Sequence, residues 1–301
     1  MTPPNISTAP WPLALARKGL LELKLARFYV ALVKLPQTGL LLFTAWVGFR
    51  SAQGMLPAGE ILAAMAGMLL ALSGTTAINM FFDRDIDSIM DRTKGRPLPT
   101  NTLSPRAVLL FGTGLIVVGM WSCYAVSPLY GHLVLAGVFF DLVIYTFWLK
   151  RRSPWSIVFG GVAGGMPIIA GRALALGQID GIGLLMALAI LLWIPTHLLT
   201  LAMNRSAEYK LAGVPAFPNV YGFKAARHVM AACSLAVSGI MTAIFMLTGV
   251  CIAGMVMLVA ANLVLVGLSV WCTARPSKKA NFVLFKYASL YMVCAMFFLM
   301  L

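Results

Sequence analysis

Charged residues, and acidic residues above all, are scarce in this chain. Asp, Glu, Lys and Arg make up 11% of its 301 residues, and only 9 residues are acidic. Soluble globular domains carry about 25% charged residues, so the composition excludes that class. A mean hydropathy of +0.90 and a hydrophobic fraction of 60% instead predict an integral membrane protein with several spans.

Cysteine and histidine are too sparse for a zinc or redox centre. The 5 cysteines stand singly in apolar stretches, without a Cys-x-x-Cys pair, and there are only 3 histidines. Zinc and thiol redox sites usually show such paired spacing. We therefore expect the cysteines to act as small buried hydrophobic residues.

Long apolar runs predict the fold. About 20 apolar residues are enough to cross a bilayer core of about 30 Å, and nine stretches qualify: 31–49, 61–82, 105–127, 130–149, 156–172, 182–203, 228–248, 250–272 and 281–300. Because backbone polar groups must be paired inside a bilayer, we expect an all-α, polytopic bundle of nine transmembrane helices. The predicted organisation is an interfacial N-terminal segment, 1–30, followed by one transmembrane domain, 31–301.

The net charge of +14 is interpreted as a topology signal. The basic residues are spread over short connecting loops on one side of the predicted bundle, as the positive-inside rule describes. Nucleic acid is therefore excluded as a partner, and the lipid bilayer is the expected environment. This pattern predicts a cytoplasmic N-terminus and two long cytoplasmic loops, 83–104 and 204–227, where we expect the functional site.

Nearly half of the acidic residues lie in one nine-residue stretch. They are Asp83, Asp85, Asp87 and Asp91. Charge at the end of an apolar helix is costly to desolvate, so the cluster is a functional-site hypothesis. The alternative is a loop that only ends the second span, but topology requires cations and not carboxylates. Asp85 and Asp91 are expected to be solvated or paired with the arginines that follow or precede them.

Three residues of this region share a four-residue spacing. Asn79, Asp83 and Asp87 would lie along one face if the helix continues past the membrane, and Asp91 would extend the stripe. Like charges at this spacing repel one another, and a divalent cation relieves the repulsion. Carboxylate and amide oxygens suit Mg²⁺, which shares its coordination shell with substrate phosphates. We predict Mg²⁺ as the cofactor.

Basic residues follow the acidic stretch immediately. Arg92, Lys94 and Arg96 are predicted to contact a diphosphate, since guanidinium and ammonium groups bind the oxygens that a metal leaves free. Lys150, in a second basic cluster, is predicted to reach the same anion. The combination indicates a pyrophosphate site whose substrate tail lies in the membrane.

The second long loop contains a single acid, Glu208, which follows Asn204 by four residues just as Asp83 follows Asn79. The two loops leave the membrane on the same side, so we predict that they face each other, as parallel repeats do. Glu208 is predicted to complete the metal site. The alternative is a local ion pair with Arg205 or Lys210.

Two further polar residues lie in apolar segments. His197 is predicted to contact the acceptor substrate, and the alternative is a hydrogen bond to a carbonyl freed by Pro195 in the same helix. Tyr145 is predicted to reach the polar end of a central cavity and to contact the acceptor there, the alternative being a buried tyrosine with its hydroxyl paired.

These residues carry a family resemblance. The spacing Asn79-x-x-x-Asp83-x-x-x-Asp87 resembles the signature of the UbiA superfamily of intramembrane prenyltransferases. The sequence after Asp87, Met90-x-Arg-Thr-x-x-Arg-Pro-Leu, is similar to its protohaem IX farnesyltransferase branch. Further similar segments begin at Lys34, Tyr145, Pro195 and Tyr209, so the resemblance covers most of residues 30–225.

The resemblance implies a nine-helix bundle and Mg²⁺-dependent transfer of a prenyl group from its diphosphate. It implies Asn79, Asp83 and Asp87 as the first metal and diphosphate motif, with Arg92, Arg96 and Lys150 as diphosphate contacts. For this branch the donor would be farnesyl diphosphate and the acceptor haem B, giving haem O.

Three departures from the branch pattern leave other functions open. The second loop has Ala207-Glu208 where two acids are usual, Thr196 replaces a proline, and Arg172 replaces a tryptophan. Transfer to a quinone precursor or lipid, or terpene cyclisation, would use the same donor site. Outside the enzyme class, an ion-coupled transporter also combines repeats with membrane acids.

Overall fold

The structure, a computed structural model, describes residues 25–300, and this part of the chain contains helices but no strand. The helices are α1 Leu25–Val33, α2 Leu35–Ser51, α3 Ala58–Ile89, α4 Pro105–Val126, α5 Pro128–Leu149, α6 Ser156–Leu176, α7 Gly181–Asn204, α8 Ser206–Leu211, α9 Phe217–Thr248, α10 Ile252–Ala274 and α11 Lys278–Phe298.

Eight of these helices are long and apolar enough to cross a membrane, and α1 and α2 together form a ninth candidate, bent by 45°. This confirms the all-α, multi-pass fold predicted from the apolar runs. The predicted N-terminal segment 1–30 lies mostly outside the described residues, and its last six residues belong to α1.

The bend between α1 and α2 has a local cause. Lys34 adopts a left-handed conformation with φ 49°, and Pro36 follows in the first turn of α2. Proline cannot donate a backbone hydrogen bond, so it begins a helix and does not continue one. The freed carbonyl of Val33 accepts hydrogen bonds from Thr38 Oγ1 (2.6 Å) and from Thr76 Oγ1 of α3 (3.2 Å). The break is therefore fixed against α3.

Helix α3 is the longest element of the first half. Its 32 residues extend over about 48 Å, more than a hydrocarbon core of about 30 Å. It packs closely on α4 through small residues: a Cβ atom placed on Gly74 would collide with the carbonyl of Gly112. Close packing through glycine is common between membrane helices. The acidic residues thus lie at the end of a long, firmly supported helix.

The second half of α5, Phe140–Leu149, is a π-helix. The Lys150 N–H continues this pattern by donating to the Tyr145 carbonyl five residues earlier, at 2.9 Å. π-Helical turns are rare and often occur at functional sites.

The later helices are joined by buried polar contacts. Ser234 of α9 bonds Thr196 of α7 at 3.1 Å and Ser269 of α10 at 2.7 Å. Such contacts hold membrane helices together where burial of apolar surface gives little driving force. All five cysteines are free: Cys123 and Cys272 are buried as expected, Cys233 and Cys294 are partly buried, and Cys251, just before α10, is exposed.

Candidate functional site

The predicted acidic stripe lies at the end of α3. Asn79, Asp83 and Asp87 are all buried, and the side chains of the two aspartates are only 3% and 6% exposed. The helix ends at Ile89 and Met90 is extended, so Asp91 does not continue the stripe and is 75% exposed. The first three residues therefore share one face, as their spacing predicted, while the helix does not continue far enough for Asp91 to extend the stripe.

Each carboxylate of the stripe is paired with a base from another part of the chain. Asp83 forms a buried ion pair with Lys150, at the end of α5. Asp87 pairs with Arg96 at 2.5 Å. Lys150 and Arg96, both predicted to contact a diphosphate, thus lie directly beside the predicted metal ligands.

Asn79 is held from two sides. Its side-chain oxygen accepts a hydrogen bond from Lys34 Nζ at 3.2 Å, and its amide group donates to Thr146 Oγ1 of α5 at 2.9 Å. The acidic end of the bundle, defined by Asp83 and Asp87, is therefore assembled by α3, α5, the loop after α3 and the break between α1 and α2.

The other two aspartates lie outside this assembly. Asp85 bonds Arg151 at 2.6 Å and Asp91 bonds Lys94 at 2.7 Å. Both are exposed, so the expectation that they are solvated is confirmed, but their partners are not Arg84 and Arg92: the Arg84 guanidinium donates to the carbonyl of Phe81, and Arg92 is exposed.

These outer pairs change the ionisation of groups beyond the helix end. The hydrogen bond from Lys94 lowers the pKa of Asp91, and the same bond raises the pKa of Lys94. The hydrogen bond to Asp85 raises the pKa of Arg151. Lys94, a predicted diphosphate contact, therefore lies in an exposed ion pair and not against the stripe.

The second loop approaches the first. Ile86 and Met90, at the end of α3, form a small apolar cluster with Val214 and with the partly buried Tyr209. Like the stripe, this cluster lies at the acidic end of the bundle. The two long loops therefore meet there, as their predicted topology required.

Glu208 lies on the short helix α8 and binds Arg205 NH1 through Oε1 at 2.6 Å. This is one of the two ion pairs considered as alternatives to metal binding. Its other oxygen, Oε2, is buried without a hydrogen-bond partner, and so is Oδ1 of Asp83. Asn204, at the end of α7, is bound by Asn281 of α11 at 2.8 Å.

In the part of the chain that the structure describes, the acidic end offers oxygen donors for a metal ion but no preformed cluster of ligands. Among residues 25–300, no group of three His, Cys, Asp or Glu side chains is arranged to hold a metal ion. The donor chemistry nevertheless fits Mg²⁺, because the predicted ligands are hard oxygens and two of them, Asp83 and Glu208, each retain a buried oxygen without a partner. Buried acceptors of this kind are uncommon unless a ligand or water completes them.

His197 lies in an aromatic stack inside the second half of the bundle. Its ring is 4.9 Å from the ring of Trp193 and 4.8 Å from that of Phe285, nearly parallel to both. Its Nδ1 contacts Ser289 Oγ at 3.1 Å, not a freed carbonyl of its own helix. Trp193 and Ser289 also line a small apolar cavity of about 80 Å³ between α2, α6, α7 and α11.

Tyr145 lies on the inward side of α5. Its ring centroid is 5.8 Å from Lys150 Nζ, and the ring packs against Gly160, where a Cβ atom would come within 2.7 Å of it. The glycine thus provides space for the tyrosine next to the acidic stripe.

Two of the three departures from the family pattern lie away from the stripe. Arg172 binds Asp180 at 2.8 Å and Ser51 at 3.0 Å, at the opposite end of the bundle. Thr196 binds the carbonyl of Met230 and Ser234 within the second half. Both residues join helices, and neither contacts a residue of the acidic stripe.

Sequence reasoning missed three residues near the stripe. Lys34 begins a segment that resembles the family, but no role was predicted for it. The Lys-x-Pro pattern at the break between two helices could have drawn attention to this residue. Thr146 has no distinguishing pattern. Asp141 stands alone in an apolar run, where any acid is unusual, and that signal was available in the sequence.

Comparison with known proteins agrees with this architecture. Residues 40–298 match the UbiA prenyltransferase family. The chain is 42% identical over 197 residues to the protoheme IX farnesyltransferase of Archaeoglobus fulgidus, covering 65% of this chain and 69% of that protein. It is 33% identical over 262 residues to the enzyme of the same name from Pyrobaculum neutrophilum, covering 87% and 94%.

Solved structures share the fold. A digeranylgeranylglyceryl phosphate synthase superposes with a TM-score of 0.77 at 15% identity, covering 91% of this chain and 97% of that chain. A UbiA homologue from Archaeoglobus fulgidus bound to DMAPP and Mg²⁺ gives 0.64 at 14% identity, covering 90% and 98%. At 14–15% identity, the similarity to these solved structures shows only a shared fold. Family membership is shown by the sequence match over residues 40–298. The chain belongs to the UbiA prenyltransferase family.

Proposed function

We propose that this protein transfers a farnesyl group from farnesyl diphosphate to protohaem IX, releasing pyrophosphate and giving haem O. Relatives named protoheme IX farnesyltransferase, which are 33–42% identical to this chain, support the choice of substrates. The observation that carries the proposal is the buried stripe of Asn79, Asp83 and Asp87, with bases beside it, at the end of a membrane helix.

Mg²⁺ fits the acidic end of the bundle, and Asn79, Asp83, Asp87 and Glu208 are the residues proposed to hold it. When bound, Mg²⁺ neutralises negative charge on the diphosphate and so makes it a better leaving group. The buried, unpaired oxygens of Asp83 and Glu208 support this assignment. A metal-bound homologue of the same fold is consistent with it.

The basic residues beside the acidic stripe are proposed to bind the diphosphate. Each member of the acidic stripe already has a basic partner: Asp83 pairs with Lys150, Asp87 pairs with Arg96, and Asn79 accepts a hydrogen bond from Lys34. With Mg²⁺ held by these oxygens, Lys150, Arg96 and Lys34 would be free to bind phosphate oxygens, where charge builds up as the carbon–oxygen bond breaks. Arg92 and Lys94, which are more exposed, are proposed to contact the outer face of the diphosphate.

The apolar helices below the stripe are proposed to receive the prenyl chain. Exclusion of water from this region protects the allylic cation until the acceptor captures it. Tyr145, beside Lys150, is proposed to line the upper part of this space.

His197 is proposed as the acceptor contact. Trp193 and Phe285 fix its ring plane and Ser289 engages Nδ1, which leaves Nε2 as the nitrogen available to an iron atom. Fixing one ring nitrogen to orient the other is usual for metal-binding histidines.

The distribution of basic residues supports a cytoplasmic location for the acidic end and the N-terminus. We further propose that the described residues from 31 onwards act as one transmembrane domain.

The test is product analysis with purified protein in lipid. Protein and Mg²⁺ are incubated with geranyl, farnesyl or geranylgeranyl diphosphate, with and without haem B, and products are identified by mass. We expect haem O from farnesyl diphosphate together with equimolar pyrophosphate, and no product after Mg²⁺ is chelated.

Other products would contradict the proposal in distinct ways. Pyrophosphate with a cyclic hydrocarbon and no need for haem would indicate a cyclase, and a prenylated quinone precursor or lipid would indicate another acceptor. Solute flux in vesicles without pyrophosphate would indicate a transporter.

A further inference from the structure

Helix α5 has two different faces. Bulky apolar residues recur every four positions on the face exposed to lipid, where Phe139, Val143 and Phe147 are each at least 43% exposed. The opposite face carries polar residues: Asp141, Tyr145, Thr146 and Lys150. Because residues four and five apart lie above one another in a π-helix, these four form one polar stripe.

This stripe is attached to the acidic end of α3 at two points. Lys150 pairs with Asp83, and Thr146 accepts a hydrogen bond from Asn79. Asp141 is one turn further from the helix end, and therefore one turn deeper in the membrane. The charges of Lys34, Lys150 and Asp83 act on its carboxylate. Asp141 thus shares a face of α5 with Thr146 and Lys150 and lies on the side of the apolar helices that are proposed to receive the prenyl chain.

Asp141 differs from every other carboxylate of the described residues 25–300. Asp83, Asp85, Asp87, Asp91, Asp180 and Glu208 are each ion-paired, and Glu60 lies in the first turn of α3, at the other end of the bundle. Asp141 lies within a span, is half-buried and has no hydrogen-bond partner within this part of the chain. A membrane acid without a structural partner is a functional-site hypothesis.

The reaction leaves a task for such a group. The allylic carbon–oxygen bond breaks and its electron pair leaves with pyrophosphate, while a new bond joins the allylic carbon to an electron-rich carbon of the acceptor. The acceptor then carries a positive charge. It is discharged by loss of a proton from the acceptor, or by capture of a water molecule, which then loses a proton. One proton must reach a base in either case.

We propose that Asp141 is the carboxylate that accepts this proton. Asp83, Asp87 and Glu208 lie at the phosphate end and are assigned to the metal, whereas Asp141 lies on the side of the prenyl carbon. The ammonium groups of Lys34 and Lys150 supply the countercharge that lets a carboxylate exist at this depth. The proposal rests on the proposed prenyl transfer. With haem as the acceptor, the proton that Asp141 accepts comes from the captured water molecule.

The test separates donor binding from acceptor chemistry. Asp141→Asn removes the base while keeping the size of the side chain. We expect binding of farnesyl thiolodiphosphate with Mg²⁺ to stay within about twofold of wild type, while formation of prenylated acceptor falls about 100-fold or more, the usual contribution of a general base. Asp141→Glu keeps a carboxylate and should retain at least about a tenth of the activity.

Asp85→Asn is the matched control, since it removes an exposed aspartate of the neighbouring helix and should leave both measurements unchanged. Wild-type product formation by Asp141→Asn would overturn the proposal. So would loss of donor-analogue binding in that variant, which would make Asp141 part of the diphosphate site or of the fold. Because the assay uses whichever acceptor the wild type prenylates, failure with haem alone would count against the proposed function and not against Asp141.

Discussion

The two long loops at the acidic end are related by position but differ in how their carboxylates are held. In the first region, Asp83 and Asp87 lie on the last turns of α3 rather than in the loop itself, are almost fully buried, and are each paired with a base that is distant in sequence or follows the end of the helix. In the second, Glu208 is 17% exposed and pairs with Arg205 three residues away. The first site is thus built by the tertiary structure, and the second by one short helix.

The difference has an energetic meaning. Removing one partner of a buried ion pair leaves a charge without compensation and is strongly unfavourable, while a local, partly exposed pair contributes little. Asp83 and Asp87 are therefore held in place by their basic partners until a metal ion replaces them, whereas Glu208 can exchange Arg205 for another cation at small cost. We infer that the first loop fixes the position of the donor and that the second adjusts to it.

The largest effect is expected in the first loop. Asp83→Asn or Asp87→Asn should lower turnover about 1,000-fold, because each removes charge that stabilises the leaving diphosphate through the metal. The measurement is the rate of haem O formation at saturating substrates, with elution volume and melting temperature as checks of folding. Asp85→Asn is the control and should retain wild-type turnover. Wild-type rates in either stripe variant would remove these residues from the site.

Adjacent basic residues give a second contrast of intermediate size. Lys150→Gln should raise the KM for the prenyl diphosphate about 10- to 100-fold, since a hydrogen bond to a charged group contributes about 1.5–3 kcal/mol. Arg151→Gln should change KM less than about twofold, because its partner Asp85 is 61% exposed and exposed pairs contribute little. Equal effects of the two substitutions would contradict the assignment of Lys150.

Much of the fold and part of the site followed from the sequence. Apolar length and the need to pair backbone groups predict the helices, and a four-residue spacing predicts that Asn79, Asp83 and Asp87 share a face. These are local properties of a helix. The spacing also suggested Asp91, but Thr93 ends the helix by donating its hydroxyl to the carbonyl of Asp87 at 3.0 Å.

What the sequence could not reveal depends on contacts between distant residues. Lys34 lies 45 positions before Asn79 in the sequence. Its side chain reaches Asn79 from the break between α1 and α2, where Lys34 itself adopts a left-handed conformation. Arg151 lies closer to Asp85 than Arg84 does, although Arg84 is adjacent in sequence. Adjacency in sequence does not identify the partner here, because side chains on successive helical positions point in different directions.

The smallest effect is expected in the second loop, and it decides whether that loop takes part at all. Glu208→Gln should raise the Mg²⁺ concentration for half-maximal activity about tenfold, equivalent to about 1.4 kcal/mol, with turnover at saturating Mg²⁺ nearly unchanged. The reason is that Glu208 adds one carboxylate to a site whose other ligands stay in place. Arg205→Gln is the informative partner variant. It frees Oε1 of Glu208 and should lower the Mg²⁺ requirement slightly. If both substitutions shift the requirement in the same direction, Glu208 acts through its ion pair with Arg205 and not through the metal, and the second loop then serves only to close the site.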